Sequence, residues 1–258
     1  MEFSRWRWLL AVLALPLAAA PAYGQTPGFG EESRFEIEIR RWRPALVSEL
    51  ELGGASTPVS PSQDLGVGDE REIEYRVFLR LARRLKVRGS RVAFEYEGAT
   101  SLGTGVSFAG LDFPPGAVVE TTLPVEQIKG GVEVDLVSHP YGFLAVVADI
   151  SRLEARPELV SADVGMASGG PIRVQLLTLG LRGRVYLTPA LSLTAEASGM
   201  KRESEGVITD VEGVITYNLS RNFALSFGYR NSYTRWNEGG DRATFRLRGN
   251  FFSVSFRI

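Results

Sequence analysis

No cysteine occurs in the 258 residues, so neither a disulfide framework nor a thiolate metal site is available to this chain. Histidine is nearly as scarce. The only one, His139, lies beside Pro140 in a short turn, and one imidazole builds neither a two-histidine metal set nor a Ser-His-acid triad. It reads as a solvated turn residue, because a general base needs a positioned partner. No excess of either charge exists: 29 basic and 30 acidic residues are interspersed, which leaves no basic face for nucleic acid. Gly103-Thr104-Gly105 lacks the lysine and the following helix of a phosphate loop, so no nucleotide or other cofactor is expected. Asp64, Asp69 and Glu70 lack calcium-loop spacing and read as a solvated acidic loop, which leaves no metal site.

Long apolar runs are also missing, except near the start. Arg5 and Arg7 precede an apolar stretch from Leu9 to Ala20, and Ala22-Tyr23-Gly24 offers small residues for cleavage. The stretch is shorter than the roughly 20 residues of a spanning helix and fits an export signal over residues 1–24, with a flexible lead-in over 25–34.

What is present is alternation. Ile73, Tyr75, Val77, Leu79, Leu81, Leu85 and Val87 share one parity, with Glu72, Glu74, Arg76, Arg80, Arg84 and Lys86 on the other. Side chains of a strand point alternately to opposite faces, so this is a strand with one apolar and one charged side. A turn is expected at Arg88-Gly89-Ser90, a bulge at Gly130-Gly131, and a hairpin tip at Pro114-Pro115-Gly116. About ten such strands, with eight to twelve as the range, fill residues 35–258 and are joined by hairpins. Turns at Ser138–Gly142, Thr188–Ala190 and Ser220–Asn222 are short, whereas residues 44–71, 99–117 and 151–171 read as long loops. Sorting short and long connections to opposite ends is a property of membrane barrels.

The final strand alternates Phe245, Leu247 and Phe251 against Thr244, Arg246, Arg248 and Asn250, then shifts register and continues as Phe252, Val254, Phe256 and Ile258. An apolar-ended closing strand of this kind resembles the C-terminal assembly signal of Gram-negative outer-membrane β-barrels, although those usually end in Phe rather than Ile. The resemblance implies an all-β fold: a single transmembrane antiparallel up-and-down β-barrel. It also implies residence in the cell outer membrane, export by a Sec-type signal, contact with outer-membrane lipids and lipopolysaccharide, and handling by the barrel-assembly machinery.

Strand length and aromatic placement decide which face meets lipid. Strands of 11 to 16 residues suit a tilted crossing, and aromatics gather near both ends: Tyr186, Tyr217 and Phe223 by the short turns, and Trp42, Tyr229, Tyr233, Trp236 and Phe245 by the long loops. The charged parity then points inward. Its members are Glu72, Glu74, Arg76, Arg80, Arg84, Arg91, Glu95, Glu97, Glu133, Asp135, Arg173, Arg184, Glu196, Asp210, Glu212, Arg230, Arg246 and Arg248. A ten-stranded barrel is narrow enough for these side chains to fill with ion pairs. A structural or surface-interaction role through the long loops is therefore expected first, and a narrow channel lined by those charges second. A barrel enzyme comes last: outer-membrane barrel proteases and the barrel phospholipase need a rim histidine, and His139 falls at the short-turn end.

Overall fold

The computed structural model describes residues 33–51, 59–68, 70, 72–202, 206–238 and 240–258. The expected signal (1–24), nearly all of the lead-in and Asp69 lie outside them.

The elements in chain order are β1 (Phe35–Trp42), β2 (Ala45–Glu51), a one-turn helix α1 (Pro61–Asp64), β3 (Glu72–Ala82), β4 (Leu85–Ser101), β5 (Val106–Phe108) and β6 (Leu111–Phe113). Then follow β7 (Val118–His139), β8 (Gly142–Ala155), β9 (Glu158–Ser161), β10 (Gly165–Ser168), β11 (Ile172–Thr188), β12 (Leu191–Arg202), β13 (Gly206–Asn218), β14 (Phe223–Glu238) and β15 (Asp241–Arg257). Ten of them, β1, β3, β4, β7, β8 and β11 to β15, close an antiparallel barrel in which β1 pairs with β15.

The stagger of the wall follows from its register. One row of paired residues runs from Arg246 of β15 through Tyr233, Thr209, Gly199, Leu179, Ala148, Val132, Val87, Leu79 and Phe35, and returns to the end of the same strand at Ile258, twelve residues further on. With a rise of about 3.3 Å per residue and about 4.8 Å between strands, that stagger tilts the strands by about 40° and sets the wall about 10 Å from the axis. Such a tilt lies within the range of transmembrane barrels.

Near the short-turn end the apolar parity faces out. Ile73, Tyr75, Val77, Leu79 and Leu81 of β3 are exposed, while Glu74, Arg76 and Phe78 between them are buried. Phe227 at 55%, Leu179 at 50% and Leu79 at 44% exposure would be unaccountable on a water-soluble barrel, whose apolar side faces in. On β11 this outer belt spans Leu177 to Leu187, a height of about 25 Å at the tilt above.

Above the belt the two faces exchange character without any change of parity. On β15 the inward residues run Ala243, Phe245, Leu247, Phe251, Ser253, Ser255, Arg257, and the outward ones run Arg242, Arg246, Arg248, Asn250, Phe252, Val254, Ile258. The β14–β15 register is unbroken from Phe223↔Phe256 to Glu238↔Asp241, so the register shift expected in the last strand does not occur. What changes is the surroundings of the wall. β4, β7 and β11 show the same exchange, with Val92, Phe94, Tyr96, Val119, Leu123, Val125, Val174 and Leu176 turned inward at the long-loop end. Together with Leu46, Leu50, Phe245 and Leu247 they form one continuous hydrophobic core.

The ladders explain the change. β3–β4 pairing stops at Tyr75↔Arg91 and β11–β12 pairing stops at Leu179↔Gly199, although β4 and β11 continue upward. The upper wall is thus divided into two facing sheets, β2-β15-β14-β13-β12 and β4-β7-β9-β10 with the tops of β8 and β11. The first gap is covered by residues 59–68: Gly68 donates to the Glu97 carbonyl, and the Leu65–Val67 backbone lies so close to Gly98 that a Cβ there would meet it at 2.7 Å. Along the second gap, among the described residues, β10 pairs only with β9, and Ile172–Thr178 pair only with β8.

Several local expectations need correction. The β3–β4 turn is at Arg83-Arg84, and Arg88-Gly89-Ser90 lie within β4; alternation crosses this turn uninterrupted because Leu81 and Leu85 both face out. Gly130-Gly131 carry no bulge, since β4–β7 and β7–β8 stay in register there; the irregularity is at Leu136. β5 and β6 form their own hairpin, with its tip at Ala109-Gly110, both in the left-handed region (φ 50° and 83°). Its Phe108 and Phe113 are folded into the core. β12 ends at Arg202 and β13 begins at Gly206, and β14 ends at Glu238 and β15 begins at Asp241, so loop asymmetry rests on the three long loops. Tyr217, Phe223, Tyr229 and Tyr233 sit on the outer face as an aromatic girdle would, whereas Tyr186, Trp42, Trp236 and Phe245 point inward.

Candidate functional site

The lower interior is filled by charged side chains that reach across the barrel. Arg40 of β1 donates to Glu212 of β13 (Nη1 to Oε2, 2.9 Å) and to Glu38 (Nε to Oε1, 2.7 Å), and Ser253 also donates to Glu38. Arg76 of β3 meets the same Glu212 at 2.9 Å. Arg88 of β4 spans to Glu196 of β12 and also binds Asp149 of β8. Arg230 of β14 is the most connected group: its guanidinium donates to Asp210, to Glu74 of β3 and to Gln127 of β7, at 2.6 to 3.1 Å. Lys129 pairs with Asp210. Lower down, Glu133 accepts from Lys86 at 2.6 Å and from Arg182 at 2.9 Å, and Asp135 from Lys86 and Arg80.

Burying one charge is prohibitive and burying a pair is tolerable only when the remaining donors and acceptors find partners. This network largely meets that condition by sharing: Glu212 holds two arginines, and Arg230 holds two carboxylates and an amide, while Glu74 Oε2 and Arg182 Nε make no hydrogen bond and have only ion contacts at 3.7 Å, to Arg40 and Glu196. Arginine suits the task because its planar fork offers five fixed donors. At the boundary with the apolar core, Arg40 lies 4.0 Å from the Phe251 ring and Arg230 lies 4.6 Å from the Trp42 ring, so the two kinds of filling meet through cation–π contacts. One gap between these side chains, lined by Glu74, Arg76, Arg88, Lys129, Asp210 and Arg230 among others, has room for one or two water molecules.

Of the expected inward residues, Glu74, Arg76, Arg80, Glu133, Asp135, Glu196, Asp210, Glu212 and Arg230 are in this network, Arg184 faces inward beside Thr194, and Glu72 is half-buried next to Trp42. The rest are not. Arg84 is exposed in the β3–β4 turn, and Arg91, Glu95, Glu97, Arg173, Arg246 and Arg248 are on the outer face above the belt, where the inward parity is apolar. Arg91 pairs with Glu126 there. Arg173, with Arg152 and Arg156, surrounds Glu154. Sequence reading missed Glu38, Arg40, Arg88, Lys129, Asp149 and Arg182. For some of them parity was available as a signal: Lys129 shares a face with Glu133 and Asp135, and Arg182 shares one with Arg184.

His139 is exposed in the β7–β8 turn, stacked on Tyr141 at 5.0 Å. Asp64 accepts a hydrogen bond from the Ser60 amide at 2.8 Å, closing the α1 turn. Among the described residues no group of three or more His, Cys, Asp or Glu is placed to hold a metal ion.

Neither a family model nor a curated protein sequence matches the chain. Solved structures do. The outer-membrane protease OmpT from Escherichia coli superposes with a TM-score of 0.55 at 9% identity, over 91% of this chain and 99% of that one. The translocator domain of the autotransporter NalP from Neisseria meningitidis gives 0.44 at 11% identity over 98% and 96%. Ail, the attachment invasion locus protein of Yersinia pestis, gives 0.38 at 10% identity over 85% and 99%. With its closed wall of ten tilted strands and its apolar outer belt, this chain has the outer-membrane β-barrel fold.

Proposed function

We propose that the protein resides in the outer membrane of a Gram-negative cell as a non-conducting barrel that displays a packed β-domain to the exterior and acts there by binding rather than by transport or catalysis. On this reading the first 24 residues direct Sec export. The outward row Phe252, Val254, Phe256 and Ile258 engages the assembly machinery. The short-turn end, with both barrel termini, faces the periplasm, and the two-sheet upper half is extracellular.

The observation that carries the proposal is the double filling of the bore. Opposite walls are braced by Arg40–Glu212, Arg88–Glu196 and Arg230–Glu74, and the apolar core closes the space above them. An ion would have to break several buried pairs and then enter hydrocarbon. The edge of β10 and upper β11, unpaired among the described residues, supports a binding role, because free strand backbone accepts an added strand from a partner.

Planar-bilayer recording of the refolded wild type tests this. Absence of steady conductance is expected. A stable, ion-selective conductance would replace the proposal with a channel lined by the inward charges.

A further inference from the structure

Five exposed arginines stand together on the outer face just above the apolar belt. Arg41 on β1 and Arg43 just past its end follow Ile39; Arg246 and Arg248 precede Phe252 on β15; Arg235 follows Tyr229 and Tyr233 on β14. The register makes them neighbours, with Arg43 next to Asn250, Arg248 opposite Asn231, Arg246 opposite Tyr233 and Arg235 opposite Thr244. Among the described residues none of the five is in an ion pair, whereas other outer arginines at this level are neutralised: Arg91 by Glu126, and Arg152, Arg156 and Arg173 around Glu154. Two of them lie against a tyrosine ring, Arg235 at 5.8 Å and Arg246 at 5.3 Å from Tyr233.

We infer that this face binds the phosphate groups of the phosphorylated glycolipid in the surrounding outer leaflet. The inference rests on the membrane reading above and adds to it a site. Along the tilted strands, Arg41, Arg43 and Arg248 fall within a residue or two of the last lipid-facing side chains, at headgroup depth, while Arg246 and Arg235 reach one to two rows higher. Guanidinium forks grip phosphate oxygens in pairs. Tyrosines at the same level anchor the interface. The exposed carboxylate on this face, Glu49 of β2 opposite Thr244, forms no ion pair with any of the five, so most of their charge needs another counter-ion, and an anionic leaflet supplies one at the height where they stand.

The test uses full-length mature barrel in nanodiscs of zwitterionic phosphatidylcholine, with binding read by native mass spectrometry. Probes are bisphosphorylated lipid A, dephosphorylated lipid A, inorganic phosphate and a soluble sulfated oligosaccharide. Bisphosphorylated lipid A is expected to bind most tightly. The triple variant Arg43→Gln/Arg246→Gln/Arg248→Gln should weaken it about a hundredfold, the corresponding triple lysine variant should recover most of that, and Arg152→Gln/Arg156→Gln should leave it unchanged. Heat-modifiable gel mobility reports whether each variant is folded. Equal binding of dephosphorylated lipid A, equally tight binding of phosphate or the sulfated oligosaccharide, or insensitivity to the triple glutamine change would overturn the inference while leaving the membrane reading intact. Failure of wild type to insert into the bilayer at all would overturn both.

Discussion

Arg88 of β4 and Glu196 of β12 join opposite walls in a two-pronged ion pair, Nη1 to Oε2 at 2.9 Å and Nη2 to Oε1 at 2.7 Å. Removing either partner strands the other in a buried site, at a cost of about 3 to 5 kcal/mol. Arg88→Met and Glu196→Leu should each destabilise the refolded barrel by that order in urea unfolding from lipid, and the double variant should cost less than their sum. Additive losses would show that the pair is not energetically coupled.

Lipid-facing positions should be intolerant of charge. Leu79→Arg, Leu179→Arg and Phe227→Arg are each expected to cost about 2 to 4 kcal/mol in folding into lipid, whereas Thr244→Arg, on the outer face of β15 above the belt, should change stability by less than about 0.5 kcal/mol. Equal sensitivity at the four sites would contradict the placement of the boundary.

The strand count, the outward apolar parity and three of the four short turns were legible because a period of two survives across a whole strand, whereas the β3–β4 turn was misplaced because alternation runs through it. The exchange of faces was not. On β15 the run Arg246, Arg248, Asn250, Phe252, Val254 occupies one side throughout, and only the neighbouring ladders reveal that its upper part meets water and its lower part lipid. Read by polarity alone, this forces either a register shift or an inward Arg246, and neither is present. The ion-pair partners were beyond reach for a related reason: Arg230 meets Glu74, 156 residues away, only because of the stagger of the closed wall.

Packing in the upper half should be separable from insertion. Phe94 is 2% exposed and rests on Trp42 at 5.5 Å. Truncation to Ala leaves a cavity worth about 3 to 5 kcal/mol. Phe94→Ala should make the long-loop end sensitive to limited trypsin digestion while heat-modifiable mobility persists. Loss of both together would mean the two halves fold as one unit.

Glu154, above the belt, is held down from 4.5 to about 2 by hydrogen bonds from Arg156, Arg173 and Arg152. A carboxyl whose folded pKa lies below its unfolded value stabilises fully above the unfolded pKa, and that contribution is lost as pH falls from about 4.5 towards 2. The three arginines that cover Glu154 are exposed, so salt should weaken the effect. A carbon-detected NMR titration of labelled glutamate should place the midpoint near 2 in wild type, and Arg156→Gln should raise it. An ordinary carboxylate midpoint in wild type would refute the cluster.

The exchange of faces along β15 can be measured position by position, because a chain without cysteine accepts single spin-labelled cysteines with no background. With the barrel in lipid, labels at 252, 254, 256 and 258 should be relaxed by oxygen, labels at 242, 244, 246, 248 and 250 by a water-soluble nickel complex, and labels at the odd positions between them by neither. An oxygen-accessible row that moves to the odd positions above residue 250, or an even row accessible to oxygen along its full length, would contradict a single unbroken strand passing from lipid into water.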